Sequence, residues 1–259
     1  MINNSIGLLD SGVGGLSVLS ELYKIMPNKN YVFFGDTKNV PYGTKTSEEI
    51  FNYTKDILNF FVSKNIKTAV FACNTTSAVA YDKLKEYFED KIKIYPLIQS
   101  VAKYATEGLK NNDTIAILAT KATINSKKYD EELKKYNPNI NVLGIDCTGF
   151  VEIVENRLYD NKESIELIKE KLEIAKKNNA KKIVLGCTHY PYLIDIFKNI
   201  YNVEYFNPAN TIAQIVKQDL NDNFNQKGTL EFYVSKNPND FILSAKTFFD
   251  VKEAKLIEI

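Results

Sequence analysis

The sequence predicts an α/β protein, because short apolar runs alternate with longer amphipathic stretches along its 259 residues. Parallel sheets produce this alternation, since each buried strand is followed by a crossover helix. The apolar runs also form two series of the same order. We therefore expect two similar three-layer α/β domains with mainly parallel sheets, and an active site in the cleft between them.

The first series begins with an apolar run at residues 6–10, which predicts a strand, and an amphipathic stretch at 17–25, which predicts a helix. The remaining strands of this series are predicted at 31–35, 68–72 and 92–97, and its remaining helices at 46–64 and 76–89. Strands and helices alternate strictly through this region, as the crossover connections of a parallel sheet require.

The second series repeats the order of the first. Its strands are predicted at 114–119, 141–145, 182–186 and 203–206, and its helices near 126–136, 162–178 and 192–199. The two series align at a nearly constant offset, so that Ile6 aligns with Ile115 and Tyr31 with Asn141. The carboxyl end adds a helix near 212–220 and strands at 230–234 and 255–259, which we expect to pack on the first unit.

The composition excludes several classes of protein. Hydrophobic residues make up 44% of the chain, charged residues 25%, and the mean hydropathy is -0.25, values typical of a soluble globular protein. A net charge of +1 supplies no field to hold nucleic acid or an anionic membrane, so neither is predicted as a partner. The segment before Asp10 lacks the basic and apolar regions of a secretory signal, and we expect a cytoplasmic protein.

Cysteine, histidine and arginine usage narrows the chemistry. Cys73, Cys147 and Cys187 are odd in number and widely spaced, which predicts free thiols rather than disulfides or a Cys-x-x-Cys metal site. His189 is the only histidine, so a histidine-rich metal centre is excluded and no metal is predicted. Arg157 is the only arginine. Hydroxyl groups and backbone amides must therefore bind any substrate carboxylate, and Thr120, Thr123 and Ser126 are candidates.

Two cysteines occupy matching positions in the two series. Cys73 and Cys187 each follow a predicted strand, and polar residues follow each of them. Because ligands bind beyond the carboxyl ends of strands in open α/β sheets, facing units would place the two thiols on opposite sides of one ligand. The alternative is that each is a small buried hydrophobic residue. Cys147 has no counterpart in the first unit, and we predict a structural role for it.

Two loops of the first unit could line the same cleft. The loop from Asp10 to Ser17 carries glycines 12, 14 and 15 between a strand and a helix, an arrangement that can present N–H groups to an anion. Asp10 would repel a phosphate, so an amino acid suits this loop better, and the alternative is a tight turn with Asp10 capping the helix. The loop around Asp36 and Tyr42 contains Pro41 and Gly43 and could line a cleft or form only a turn.

These motifs resemble those of the glutamate racemases, which are cofactor-independent members of the wider aspartate/glutamate racemase group. The matching segments are residues 10–16, Asp36, residues 41–43, residues 73–75 and residues 185–191. The Asp-Ser-Gly loop and the Cys-Thr-His-Tyr-Pro run indicate the glutamate branch rather than the aspartate branch.

The resemblance implies a second α/β domain, residues 98–207, inserted into a first domain made of residues 1–97 and 208–259. It implies catalytic thiols at Cys73 and Cys187, with Asp10 assisting the first and His189 the second. The substrate-binding candidates are Asp10, Ser11, Pro41, Tyr42, Gly43, Asn74, Thr75, Thr120, Thr188 and His189, and the accessory candidates are Asp36, Thr76, Thr123, Glu152 and Glu155. It further implies no cofactor, a homodimer, and a product, D-glutamate, that supplies peptidoglycan synthesis.

The carboxylate that the family carries in its second domain corresponds to Glu155. The family places two prolines between the preceding cysteine and this carboxylate, and neither is present between Cys147 and Glu155. Glu152 is therefore a competing candidate.

Racemisation suits a pair of thiols. It removes the α-hydrogen from one face of a carbon and returns a proton to the other face, so two opposed acid–base groups are needed. A thiol with an ordinary pKa of about 8.5 can hold or release a proton near neutral pH. Without a cofactor to delocalise the carbanion, closure of the site and preorganised hydrogen bonds must stabilise it.

Three alternatives remain open from the sequence. A cysteine hydrolase or transferase would use Cys187 with His189 as its base and would not need Cys73. A nucleotide-binding module would use the glycine loop. A racemase for aspartate or another amino acid would share every mechanistic residue and differ only in its substrate.

Overall fold

The computed structural model describes residues 5–220 and 227–259, which form two parallel β-sheets covered by helices. Residues 1–4, part of the segment considered above for a secretory signal, lie outside the described residues. None of the helices in the described ranges is both long and apolar enough to cross a membrane.

The strands are β1 (Ser5–Asp10), β2 (Asn30–Gly35), β3 (Thr68–Phe71), β4 (Lys93–Pro96), β5 (Thr114–Ala119), β6 (Asn141–Asp146), β7 (Ala180–Gly186), β8 (Glu204–Phe206), β9 (Leu230–Val234) and β10 (Lys255–Leu256). The α-helices are α1 (Leu16–Ile25), α2 (Ser47–Ser63), α3 (Asn74–Val79), α4 (Tyr81–Phe88), α5 (Leu97–Thr106), α6 (Lys121–Asn125), α7 (Lys128–Lys134), α8 (Phe150–Glu155), α9 (Lys162–Lys177), α10 (Ile194–Ile200), α11 (Pro208–Leu220) and α12 (Pro238–Ala245). Short 3-10 turns span Tyr42–Thr44 and Tyr190–Leu193.

The two sheets share one topology. The first has the order β10-β9-β2-β1-β3-β4 and the second the order β6-β5-β7-β8, with parallel pairing throughout. The four strands β2-β1-β3-β4 of the first sheet therefore repeat the order β6-β5-β7-β8 of the second. The central strand β1 packs Leu8 into one hydrophobic cluster and Leu9 into another, on opposite faces of the sheet. Helices cover both faces, which confirms the predicted fold class.

The register corrects the sequence alignment by one residue. Ser5 lies opposite Asn30, and Thr114 lies opposite Asn141, so the counterpart of Asn141 is Asn30 rather than Tyr31. Strands buried on both faces are apolar almost throughout and lack the in–out alternation that specifies a register. The apolar pattern could therefore locate these strands but not align them to the residue.

Several helices differ from the prediction because the backbone breaks where apolar spacing continues. The helix predicted at 76–89 is two helices that meet at Ala80, and the one predicted at 126–136 begins earlier, as α6 and α7 separated by Lys127 in a left-handed conformation (φ 58°). The strand predicted to reach Leu97 ends at Pro96, and α5 follows at once. Helices α5, α8 and α12 were not predicted. The last strand spans only Lys255–Leu256.

The carboxyl end returns to the first sheet. After β8, helix α11 packs against α1, and β9 then pairs with β2 while β10 pairs with β9. The strands of the second sheet thus lie, along the chain, between β4 and β9. This path brings the segment after α12 against Arg157, which lies between β6 and β7, and against His189, which follows β7.

Candidate active site

Both Cys73 and Cys187 line a single cavity of about 1110 Å³ between the two sheets. Each follows the third strand of its sheet at the same position, because Phe71 and Leu185 lie opposite equivalent residues of β1 and β5. The predicted residues that line the cavity with them are Asp10, Ser11, Pro41, Tyr42, Gly43, Asn74, Thr75, Thr120, Ser126, Glu152, Glu155, Thr188 and His189. Asp36, Thr76 and Thr123 lie behind this lining.

The Cys73 thiol is only 5% exposed and caps the amino terminus of α3. Its sulfur accepts a hydrogen bond from the backbone N–H of Thr76 at 3.5 Å. Burial, together with the nearby carboxylate of Asp10, raises the pKa of Cys73 to about 11. The resting state of this group at neutral pH is therefore the protonated thiol.

The carboxylate of Asp10 binds to the backbone of the glycine loop. Its Oδ2 atom accepts a hydrogen bond from the N–H of Gly12 at 3.0 Å. Burial raises the pKa of Asp10, although the charge of His189 and the backbone N–H groups of Gly12 and Gly15 oppose this shift. The N–H of Gly12, which a bound phosphate would need, is thus already engaged, and this arrangement does not favour the nucleotide-binding alternative.

Gly14 allows the loop to approach the second unit. A Cβ atom at this position would lie 2.4 Å from the His189 ring and 2.5 Å from Oγ1 of Thr188, closer than any side chain can sit. The hydroxyl of Ser17 donates a hydrogen bond to the backbone oxygen of Thr188 at 3.0 Å. The glycine at position 14 therefore serves close packing against the segment that follows Cys187.

The imidazole of His189 bridges a thiol and a carboxylate. Its Nδ1 atom lies 3.8 Å from the sulfur of Cys187, and its Nε2 atom lies 2.9 Å from Oε1 of Glu155. Burial lowers the pKa of His189, but the interactions with Cys187 and Glu155 outweigh burial and raise it to about 10. A protonated imidazolium consequently lies beside the Cys187 sulfur at neutral pH, where it stabilises negative charge.

The two glutamates of α8 differ in what they contact. Glu155 ends the helix and bonds to His189, whereas Glu152 lines the cavity and does not bond to this histidine. The geometry therefore pairs Glu155, and not Glu152, with the imidazole.

Phe248, from the segment after α12, was not singled out by the sequence. Its ring lies 5.3 Å from that of His189 at an interplanar angle of 80°. The adjacent Thr247 accepts hydrogen bonds from the guanidinium of Arg157. The lone arginine thus contacts the carboxyl-terminal segment and does not line the cavity.

Tyr42 is held from behind by Asp36. Its hydroxyl donates to Oδ2 of Asp36 at 2.6 Å, and the other carboxylate oxygen accepts from the hydroxyl of Ser235 at 2.6 Å. Asp36 thus ties the Tyr42 loop to the segment that follows β9. Its contacts support a structural role for this accessory candidate.

Asn74 is oriented by a residue that sequence reasoning missed. The hydroxyl of Tyr129, buried on α7, donates to Oδ1 of Asn74 at 2.7 Å. No signal identified Tyr129, because a tyrosine on the buried face of a helix looks like an ordinary core residue.

Three threonine hydroxyls meet where α3 faces α6. Oγ1 of Thr75 lies 3.2 Å from that of Thr120 and 3.3 Å from that of Thr123, and the latter two are 3.1 Å apart. These hydroxyls join the two units at the cavity wall. Thr75 and Thr120 can redirect a hydrogen bond toward a bound carboxylate, while Thr123 supports them from behind.

The third cysteine, Cys147, also lines the cavity, but its thiol bonds to the backbone. Cys147 is 1% exposed, its thiol donates to the backbone oxygen of Ile145 at 3.5 Å, and burial raises its pKa. All three cysteines are free, as predicted.

Within the described ranges, no group of three or more His, Cys, Asp or Glu side chains could hold a metal ion. Lys45 and Lys121, which the sequence analysis did not single out, are the lysines of the lining.

The comparisons with known proteins cover almost the whole chain. Residues 16–216 match the Asp/Glu/hydantoin racemase family. A glutamate racemase of Caldanaerobacter subterraneus subsp. tengcongensis is 37% identical over 95% of this chain and 93% of its own. One from Thermoanaerobacter pseudethanolicus is 36% identical over 100% and 98%. The crystal structure of glutamate racemase from Francisella tularensis in complex with D-glutamate superimposes with a TM-score of 0.90 at 28% identity, over 100% of this chain and 98% of that one.

Proposed function

The chain belongs to the Asp/Glu/hydantoin racemase family, and on that premise we propose that it interconverts L-glutamate and D-glutamate without a cofactor, by proton transfer through Cys73 and Cys187. The observation that carries the proposal is the pair of thiols, which end equivalent strands and line one cavity. A hydrolase that uses a single thiol would leave the matching position of the second thiol without a purpose.

The two thiols have different surroundings. The imidazole of His189 lies 3.8 Å from the Cys187 sulfur, whereas burial and Asp10 raise the pKa of Cys73 and keep that thiol protonated. Cys73 is therefore ready to act as an acid before substrate binds.

The proton balance of the reaction is simple. The Cys187 thiolate removes the α-hydrogen as a proton, the electron pair stays on the α-carbon, and the Cys73 thiol returns its proton to the opposite face. The negative charge passes from Cys187 to Cys73, and only two protons move, one from the α-carbon to Cys187 and one from Cys73 to the α-carbon. The other enantiomer reacts with the roles reversed, and each turnover leaves the thiols prepared for the opposite direction.

The cavity wall offers hydrogen-bond donors for two carboxylates. The side chains of Ser11, Asn74 and Thr188 line it, together with the hydroxyls of Thr75 and Thr120. These neutral donors bind carboxylates where arginine is absent, and the buried Asp10 is available for the substrate ammonium. The relative from Francisella tularensis, crystallised in complex with D-glutamate, supports glutamate as the substrate.

We also propose a division of the chain into two domains. We place the first domain at residues 1–97 and 208–259 and the inserted domain at 98–207, because strands β5 to β8 form a sheet of their own.

We also propose a cytoplasmic homodimer whose D-glutamate supplies peptidoglycan synthesis. Light scattering of the purified protein tests the dimer.

The experiment that tests the reaction follows the α-proton of L-glutamate, and separately of L-aspartate, by proton NMR in deuterated buffer without added cofactor, with optical activity measured in parallel. We expect loss of both signals for glutamate only. Loss of the α-proton from L-aspartate alone would support the same mechanism with aspartate as the substrate. If folded, reduced protein exchanged neither amino acid, the proposed function would be wrong.

A further inference from the structure

The side chain of Thr76 is buried without satisfying its hydroxyl. The residue is 0% exposed, and among the described residues Oγ1 is one of two buried side-chain atoms that lack a hydrogen-bond partner. The next residue, Ser77, behaves in the ordinary way, since its hydroxyl donates to the backbone oxygen of Cys73 at 3.0 Å. An unpartnered buried hydroxyl is unfavourable in a folded protein, so its presence calls for a reason.

The position of Thr76 supplies a candidate acceptor. Its backbone N–H donates to the Cys73 sulfur at 3.5 Å, which places the residue one helical turn beyond that sulfur and directly beside it. A neutral thiol is a weak acceptor, whereas a thiolate is a strong one. The hydroxyl therefore has little to bind while Cys73 holds its proton, and gains a partner when the proton leaves.

The other groups that face Cys73 oppose negative charge on its sulfur. Asp10 approaches from the end of β1 and Cys187 from the end of β7, and each raises the pKa of Cys73. The Tyr42 hydroxyl, from the loop after β2, also lies near Cys73 but donates its hydrogen bond to Asp36. Burial and Asp10 raise the pKa of Cys73 to about 11, and the hydroxyl and N–H of Thr76 act in the opposite direction. Within the described residues, Thr76 is thus the group that favours the thiolate.

We propose that Thr76 is a catalytic residue whose hydroxyl donates a hydrogen bond to the Cys73 sulfur when that sulfur becomes negatively charged during proton transfer. This role rests on the proposed function. The bond is strong only with the charged sulfur, so it lowers the energy of the transition state relative to the resting enzyme. The hydroxyl has no partner in the resting state because the neutral thiol is too weak an acceptor to bind it.

Thr76→Val tests this role because it removes the hydroxyl and keeps the side-chain shape. We expect kcat/KM for glutamate to fall about tenfold, as for the loss of one charge-assisted hydrogen bond. The melting temperature should stay equal or rise, since an unsatisfied buried hydroxyl is replaced by a methyl group. A purely structural threonine would instead lose stability and activity together. Thr76→Ser, which keeps the hydroxyl, should retain most of the activity.

Thiol alkylation gives a readout that needs no turnover. Iodoacetamide reacts with the thiolate, so the rate at each cysteine, followed by mass spectrometry at about pH 8, reports its thiolate fraction. In Thr76→Val we expect Cys73 to react about tenfold more slowly, which corresponds to a pKa raised by about one unit. Cys147 and Cys187 should react at their wild-type rates and serve as internal controls.

Thr54→Val is the matched control. Thr54 is also buried, but its hydroxyl donates to the backbone oxygen of Ile50 at 2.6 Å within α2, away from the cavity. This variant should lose stability and keep the wild-type alkylation rate at Cys73. The inference is overturned if Thr76→Val leaves the Cys73 rate unchanged, or if its melting temperature falls as in Thr54→Val. If wild-type protein does not racemise glutamate but Thr76→Val still slows Cys73, the proposed function fails and the contact with the thiolate stands.

Discussion

Oε1 of Glu155 lies 2.9 Å from Nε2 of His189, and this contact adds to that of Cys187 in raising the pKa of the imidazole. The carboxylate comes from α8 and the imidazole from the turn after β7, so two distant segments meet at this buried histidine. The same imidazole approaches the Cys187 sulfur through its other nitrogen. Thiol, imidazolium and carboxylate thus form one connected group.

Glu155→Gln should lower kcat/KM for glutamate by about a hundredfold, because the neutral amide no longer holds the imidazole in its charged form beside Cys187. Circular dichroism of glutamate measures the rate in both directions. Glu152→Gln is the control, since Glu152 lines the cavity one turn earlier on the same helix, and it should stay within about threefold of wild type. Equal losses in the two variants would contradict the pairing.

Stability should depend on pH through His189. Its pKa rises from 6.5 in the unfolded chain to about 10 in the folded protein, so the folded state binds this proton more tightly. The resulting stabilisation is complete below about pH 6.5 and disappears as the pH rises through about 10. We expect the difference in melting temperature between wild type and His189→Gln to shrink steadily across this range. A difference that grows with pH would show that the histidine is buried in its neutral form.

Single cysteine substitutions distinguish a mechanism that uses two thiols from one that uses a single thiol. Cys73→Ala and Cys187→Ala should each reduce racemisation by about a thousandfold or more, because each removes one acid–base group. Cys147→Ala should keep most of the activity, since its thiol bonds to the backbone oxygen of Ile145. The assay is the optical rotation of glutamate. Full activity in Cys73→Ala would favour the hydrolase or transferase alternative.

Tyr129→Phe should raise KM for glutamate about tenfold with a smaller change in kcat, because Asn74 loses the bond that orients its amide toward the cavity. In the Asn74→Ala background the same substitution should have little further effect, as expected for residues that act as a unit. Steady-state kinetics of the four proteins measure this coupling.

Tyr201→Phe is the control for Tyr129→Phe. It removes a hydroxyl that donates to the backbone oxygen of Ala180 at 2.6 Å, away from the cavity. We expect it to lower the melting temperature and leave KM unchanged. An equal rise of KM in the two tyrosine variants would assign the effect of Tyr129→Phe to general loss of stability.

Much of the fold could be predicted from local patterns. Apolar runs located the strands, and the repetition of their order anticipated two sheets of one topology. The strand orders β2-β1-β3-β4 and β6-β5-β7-β8 confirm this. The same patterns could not align Tyr31 with its true counterpart or divide the helix at Ala80, because both faces of the strands are buried and apolar spacing continues across the break.

The sequence by itself determined the fold class, the free thiols and the position of Cys73 and Cys187 after equivalent strands, since these depend on residue type and on position relative to a strand end. Only the tertiary structure decided that Glu155 rather than Glu152 reaches His189, that Gly14 packs on this ring, and that Tyr129 holds Asn74. Such pairs are far apart along the chain, and their contact depends on how helices cross the sheets. Periodicity records which face of an element is buried, but the partner on that face is chosen by packing.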